Sequence, residues 1–462
     1  MAAAMLLFGF ATTVFAQTSE SAPASGEARI EQLEREVAAL REALDALRAQ
    51  QAQPAQQAQA AQQPAAEPRT TTPAPAPAID TAELARRIDL LAAEVERMKL
   101  GETAVTTERS EGGFGPAASK VYRAEPGISI GGYGEVTYHR IQDETDETDM
   151  LRSVVYVGYK FDDKWLFNSE LEFEHGGDET GIEFAYLDYA WRPELGLRFG
   201  HLLMPMGFLN ELHEPTTFLG VDRPLTERVI LPSTWHENGV GIFGETGGVS
   251  YRSYVVNGFD ATGFSAEGLR EGRQGGAEAK AEDLAWVTRL EGTPVEGLRL
   301  GGSAYLGKAG QDLDLEGPVD VATRIFELHG EWRVRGLELR ALAARAWLDD
   351  VRPLDAALGL HGSDSIGEEL RGQYVQLGYD VLSHRGNGER QLIPFVRWEQ
   401  VDTQHEVPSE LARNPANDRE VLTYGLSWLP KRQLVFKLDF QDFEGEAGSG
   451  GDRFNLGVGY VF

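Results

Sequence analysis

The sequence predicts an all-β protein, a sixteen-stranded antiparallel transmembrane β-barrel with an N-terminal coiled-coil/linker arm. Three observations predict it. From roughly residue 127 to 462, apolar and polar residues alternate with period two, over runs of about ten residues. Short turns alternate with long polar loops, which is the sorting of periplasmic turns and external loops in an outer-membrane barrel. Tryptophans fall near the ends of these runs, where amphipathic rings sit at membrane interfaces.

Taken in order, residues 1–16 (MAAAMLLFGFATTVFA) form an apolar stretch closing on Val14-Phe15-Ala16 before polar Gln17. This reads as a signal peptide without its positive n-region, so the translation start is open. Residues 17–120 read as a periplasmic tether. Ile30, Leu33, Val37, Leu40, Leu44 and Leu47 share one helical stripe, as do Leu84, Ile88, Leu91, Val95 and Met98. Both read as short coiled coils, too short to hold partner chains unaided; solvated amphipathic helices packing on the rest of the protein are the alternative. Between them, 25 of the 30 residues from Ala49 to Ala78 are Ala, Gln or Pro, and six prolines forbid a continuous helix.

Residues 121–462 are assigned to the barrel. The apolar faces run Ile128, Ile130, Val136, Tyr138; then Val155, Val157, Tyr159, Phe161; Trp165, Phe167, Leu171, Phe173; and Leu195, Leu197, Phe199. They continue through Leu298, Leu300, Ala304, Leu306; Val375, Leu377, Tyr379, Val381; and Leu392, Val396, Trp398. Leu422 to Trp428, Leu434 to Phe440 and Phe454 to Phe462 complete the clear set. Weaker runs near 182–191, 239–245, 249–257, 284–292, 321–334 and 337–348 bring the count to sixteen. Long loops are expected at about 141–150, 175–181, 202–238, 258–282, 307–320, 349–368, 402–419 and 444–452. Trp165, Trp191, Trp332 and Trp428 lie beside short turns, whereas Trp286, Trp347 and Trp398 are placed near the opposite strand ends.

Composition narrows function. The chain has 73 acidic and 43 basic residues, a net charge of −30 and no cysteine. No basic stripe for nucleic acid is present, and cysteine-ligated zinc and disulfides are excluded. Mean hydropathy of −0.33 mimics a soluble protein because each lipid-facing residue is diluted by a lumen-facing polar one. The pairs His213-Glu214, His236-Glu237 and His405-Glu406 do not extend to HExxH, and no G-x-S-x-G or P-loop occurs. The reading is a non-enzyme with no cofactor and no metal site.

The stretch from Glu183 to Glu245, with EFAYLDYAWRPELGLRFGHLLMPMGF and then NGVGIFGE, resembles the bacterial phosphate-selective porin O and P family. The resemblance implies a homotrimer of water-filled barrels in the outer membrane, passing small hydrophilic solutes, anions such as phosphate among them. It also implies contact with outer-membrane lipid and lipopolysaccharide. An alternative is a non-selective, cation or neutral-solute porin that also tethers the outer membrane to the cell wall through its arm.

If the apolar faces meet lipid, parity directs Arg198, Arg252, Arg289 and Arg299 into the lumen, with Arg340, Arg397 and Lys437 further round. Glu135, Glu170, Glu172 and Glu174 form an acidic wall, so the expected lumen has a transverse field. Each arginine has a second reading, an ion pair with a carboxylate such as Glu291, Glu338 or Glu399. The loop at 202–238 is too apolar for solvent and is expected to fold inside as a constriction, bringing Arg223 and Arg228 to a solute. Pairing of those two with Asp222 and Glu227 is the alternative. The first loop's acids, Asp143, Glu144, Asp146, Glu147 and Asp149, would repel anions, bind divalent cations, bridge lipopolysaccharide or simply be solvated.

Overall fold

A computed structural model describes residues 113–313, 319–384, 390–448 and 451–462. The signal peptide, both coiled-coil segments and the Ala/Gln/Pro linker lie outside these residues. Every run read as a strand is one. They are β1 (Gly127–Ile141), β2 (Glu147–Lys160), β3 (Trp165–Glu174), β4 (Glu179–Arg192), β5 (Leu195–Leu203), β6 (His236–Thr246), β7 (Val249–Asn257) and β8 (Leu284–Val295). The second half holds β9 (Leu298–Lys308), β10 (Ala322–Val334), β11 (Leu337–Leu348), β12 (Glu369–Tyr379), β13 (Gln391–Glu406), β14 (Asp418–Lys431), β15 (Leu434–Gly445) and β16 (Arg453–Val461). Each pairs antiparallel with its sequence neighbours, and β1 closes the barrel on β16. Phe462 seals that seam by exchanging backbone hydrogen bonds with Gly132.

Side-chain parity follows the sequence pattern. Ile128, Tyr159, Phe173, Leu197, Val375, Tyr424, Phe436 and Val458 are exposed on the outer surface, and their strand neighbours are buried or half-buried. The outer face is therefore an apolar belt, the inverse of a soluble barrel. Trp165, Trp191, Trp332 and Trp428 stand exposed at the short-turn end and Trp286 towards the other. Trp398 sits mid-strand rather than near an end, because β13 continues to Glu406.

Three boundaries differ from expectation. The first two long loops shrink to 142–146 and 175–178, because β2 and β4 begin ahead of the apolar pattern, in polar residues that include Glu147, Asp149 and Glu179. The β12–β13 connection, on the short-turn side, spans 380–390 and carries its own turn. Residues 113–120, grouped with the linker by composition, pack against the barrel's interior, with Phe114, Ala117 and Ala118 buried in its core. They lead into a single helical turn, α1 (Lys120–Arg123).

Candidate functional site

The lumen is where inward side chains, a long loop and the 113–124 segment converge. As expected, the third long loop folds inward. Met204, Met206, Phe208, Leu209, Phe218, Ile230, Leu231 and Trp235 are all buried. Such a loop needs partners for its backbone groups, and the inward wall supplies them. Asp439 accepts from the Val221 amide at 2.6 Å and Glu399 from that of Leu225 at 2.6 Å, while Ser427 donates to the Leu219 carbonyl. The Gly207 carbonyl accepts from Arg289. Gly207 has a φ of +66°, and a Cβ there would stand 2.6 Å from Glu227 Oε2. In the short helix α2 (Leu225–Val229), Glu227 is held by the Leu209 amide and the Tyr374 hydroxyl, both at 2.6 Å.

The 113–124 segment fills the side of the lumen facing β1 to β7. Phe114 packs on Phe184 and Tyr186 at ring separations of 5.3 and 5.6 Å. Glu214 Oε1 accepts from the amides of Ala117 and Ala118 at 2.9 and 3.0 Å, tying the segment to the loop. Burial pushes the Glu214 carboxyl up to about 7, against these amides, which favour its ionised form. The loop and this segment thus narrow the lumen expected of sixteen strands. Inward residues from Glu135 to Asn455 are almost all buried.

The expected arginines fall into two populations. Those on strands are paired. Arg198 makes a two-pronged bond to Asp188, with both N–O distances 2.8 Å, donates to Tyr254 and Tyr122, and stacks over Tyr186. Arg252 meets Glu211 at 3.0 Å, Arg289 meets Glu291 at 2.5 Å, and Arg299 meets Glu331 at 2.8 Å. Arg340 with Glu338 at 3.6 Å and Arg397 with Glu399 at 2.8 Å follow the same rule. All three carboxylates named from sequence as alternative partners, Glu291, Glu338 and Glu399, are in use. The acidic wall is also engaged: Arg152 lies 3.5 Å from Glu172 and 3.6 Å from Glu174, and Glu170 faces His213. Glu135 is buried beside them. A transverse field between two opposed walls is accordingly not what these side chains build.

Arg223 and Arg228 behave differently. The sequence alternative paired them with Asp222 and Glu227. Instead, Asp222 accepts from Gln441, and Glu227 is taken by Tyr374 and Leu209. Both arginines join a set of guanidiniums that sequence reading missed: Arg270 and Arg273 from the fourth long loop, Arg419 at the loop end of β14 and Arg453 at the loop end of β16. Among the described residues, no carboxylate oxygen lies within 4 Å of any of the six. Arg270 and Arg273 donate to the carbonyls of Ser233 and Thr234. Burial and the neighbouring Arg273, Arg228 and Arg223 hold Arg270 down to about 10. Arg419 stands in electrostatic reach of Arg228 and Arg453, and also of Glu267. Counting arginines together with lysines in the long loops would have found Arg270 and Arg273. Nothing in the alternation marks Arg419 or Arg453.

No family model matches the chain. Among solved structures, OmpT of Vibrio cholerae, expressed in the outer membrane, is 11% identical with a TM-score of 0.47, over 73% of this chain and 99% of that one. The outer-membrane channel DcaP of Acinetobacter baumannii is 12% identical with a TM-score of 0.44, over 72% and 97%. OmpF of Salmonella typhi, in complex with daunomycin, is 9% identical with a TM-score of 0.47, over 72% and 97%. In sequence, a protein of Aquifex aeolicus strain VF5, described as uncharacterized, is 36% identical over 368 residues, which is 76% of this chain and 83% of that protein. At that identity and coverage, the chain belongs to the same family as the Aquifex aeolicus protein.

Proposed function

We propose that the protein is a bacterial outer-membrane channel for passive diffusion of small hydrophilic anions, with phosphate-like oxyanions as the favoured class. The apolar outer belt and exposed tryptophans support membrane insertion. A periplasmic location for the N-terminal arm, up to the 113–120 segment that packs in the barrel, belongs to the same reading. The observation that carries the anion preference is the set of six guanidiniums without carboxylate partners at the loop end of the lumen. A guanidinium with no carboxylate partner binds carboxylate or phosphate oxygens through the donors that backbone carbonyls leave free, two at a time where two remain. The resemblance to phosphate-selective porins points the same way. Packing below this vestibule favours ions over sugars.

A homotrimer is part of this reading. The outer face of β8 to β13 departs from the apolar belt: Arg345 and Arg371 stand opposite each other in register, and Gln373 bonds Gln400. These groups line a concavity of about 1110 Å³ floored by Gly302, Ala304 and Ala343. Both arginines pair with Glu369, at 3.7 and 2.5 Å, and charged groups on the lipid face cost stability to a degree that depends on depth, so a second copy of the chain is a better neighbour than lipid.

The test is a planar bilayer holding the purified full chain across a potassium chloride gradient. The reversal potential should take the sign of chloride permeation, and inorganic phosphate should reduce the chloride current. A reversal potential at zero, or of cation sign, overturns the reading.

A further inference from the structure

The strongest unexplained cluster lies inside the wall rather than at the vestibule. Glu170 on β3, Glu183 on β4 and His213 on the third long loop each place a ligating atom within 4.8 Å of the others. All three are buried, at 0%, 3% and 2% exposure. We propose that they form a site for a first-row divalent cation of the zinc class, which stitches the inward loop to the barrel wall.

Glu183 is directed inward by a local irregularity. Glu170 pairs with Phe184 and Leu171 with Ile182, so Glu183 is the extra residue of a β-bulge. A bulge re-aims a side chain that strict alternation would send outward. Both Glu183 and Phe184 therefore face the interior.

The histidine is oriented as a metal ligand. His213 Nδ1 lies 3.0 Å from the Asn210 carbonyl oxygen. That oxygen can only accept, so Nδ1 carries a hydrogen, and Nε2, which faces the carboxylates, is the nitrogen available to a metal. Backbone anchoring of one ring nitrogen is the usual support for metal binding at the other. Nε2 stands 3.2 Å from Glu170 Oε1 and 3.3 Å from Glu183 Oε2. Ligands at about 2.0–2.2 Å from a tetrahedral zinc are separated by about 3.3–3.6 Å, which these spacings approach before any metal draws them into place.

One ligating oxygen has no other use. Glu183 Oε1 accepts from the Thr234 hydroxyl at 2.5 Å, whereas buried Oε2 has no hydrogen-bond donor. Glu172 Oε1 is likewise without one, 3.5 Å from an Arg152 guanidinium nitrogen. Glu170 and Glu183 each place an oxygen within 4.8 Å of the other, and two ionised carboxylates that close call for a proton or a cation between them. Arg152 is the only guanidinium within 4 Å of any of the three glutamates, Glu170, Glu172 and Glu183, among the described residues. A nitrogen with two or three carboxylate oxygens suits zinc. Calcium and magnesium take six or more oxygens, water included.

The test uses the full chain, folded in detergent, stripped with EDTA, dialysed and titrated with Zn²⁺ alone. One zinc should be retained per chain by elemental analysis, with a rise in melting temperature, and Co²⁺ in its place should give the visible absorption of a tetrahedral site. Glu183→Gln and His213→Gln should each abolish retention and the rise. His175→Gln, in the exposed Glu174-His175-Glu179 group, should leave both unchanged. Heat-modifiable gel migration verifies that each variant is folded. If folded wild-type protein retains no more zinc than folded Glu183→Gln, the cluster is a proton-sharing ion pair and the proposal fails. Equal stabilisation by Ca²⁺ would overturn the zinc assignment as well.

Discussion

The arginines inside the strands and the arginines at the loop end of the lumen look alike in sequence and do opposite things. Arg198, Arg252, Arg289 and Arg397 each have a carboxylate within 3.0 Å and are buried. Arg223, Arg228, Arg270 and Arg273 have none within 4 Å and crowd one another. The first population holds the interior together, and the second keeps its charge without a carboxylate beside it. An inward-pointing arginine is therefore not evidence of solute binding until its carboxylate has been looked for.

The largest test of this contrast removes one partner of a buried pair. Asp188→Asn leaves the Arg198 guanidinium, 2% exposed, without its compensating charge. Breaking such a pair typically costs about 3–5 kcal/mol. Urea unfolding of the folded barrel in lipid vesicles should show a loss of that order. A loss below about 1 kcal/mol would mean that lumen water hydrates Arg198, as at a surface pair, and the interior would then be open rather than packed.

Much of this was legible in the sequence. Sixteen strands and their inside-outside parity follow from period-two alternation, because one residue of slip would expose every wrong face. The inward loop follows from its apolar content. What was not legible depends on chain crossings: Glu211 reaches Arg252 from a loop, and Glu183 escapes parity through a bulge. Phe114 reached the lumen although its neighbourhood reads as linker, since a few small residues around one aromatic carry no period. The loop-end arginines needed positions in space, because they come from two loops and two strand ends.

Glu214 provides an intermediate effect, at the contact between the 113–124 segment and the inward loop. Its carboxyl sits at about 7 in the folded protein, raised from an ordinary value of 4.5 by burial. Between those values the folded state binds more protons than the unfolded chain, so stability falls as pH rises. The contribution is complete below about pH 4.5 and is lost as pH passes 7, amounting to about 3 kcal/mol at most. Unfolding free energies measured from pH 4.5 to 7.5 should decline in the wild type and flatten in Glu214→Gln. An unchanged slope in the variant would show that the carboxylate is hydrated and that the segment does not seal against the loop.

The smallest effect on stability should come from the charges on which the proposed anion preference rests. Arg223→Gln with Arg228→Gln removes two guanidiniums that have no carboxylate to abandon, and Arg228 is exposed. Substitutions away from packed or paired features usually stay within about 0.5 kcal/mol, and relief of repulsion with Arg270 acts in the stabilising direction. The double variant should therefore unfold as the wild type does while its reversal potential in a chloride gradient moves towards zero. Arg252→Gln, by contrast, strands Glu211 and should destabilise the barrel. If the double variant instead unfolds early, the loop-end arginines hold the fold just as the strand arginines do. Anion preference would then lose its physical basis, because charge that stabilises the protein is no longer free to attract a solute.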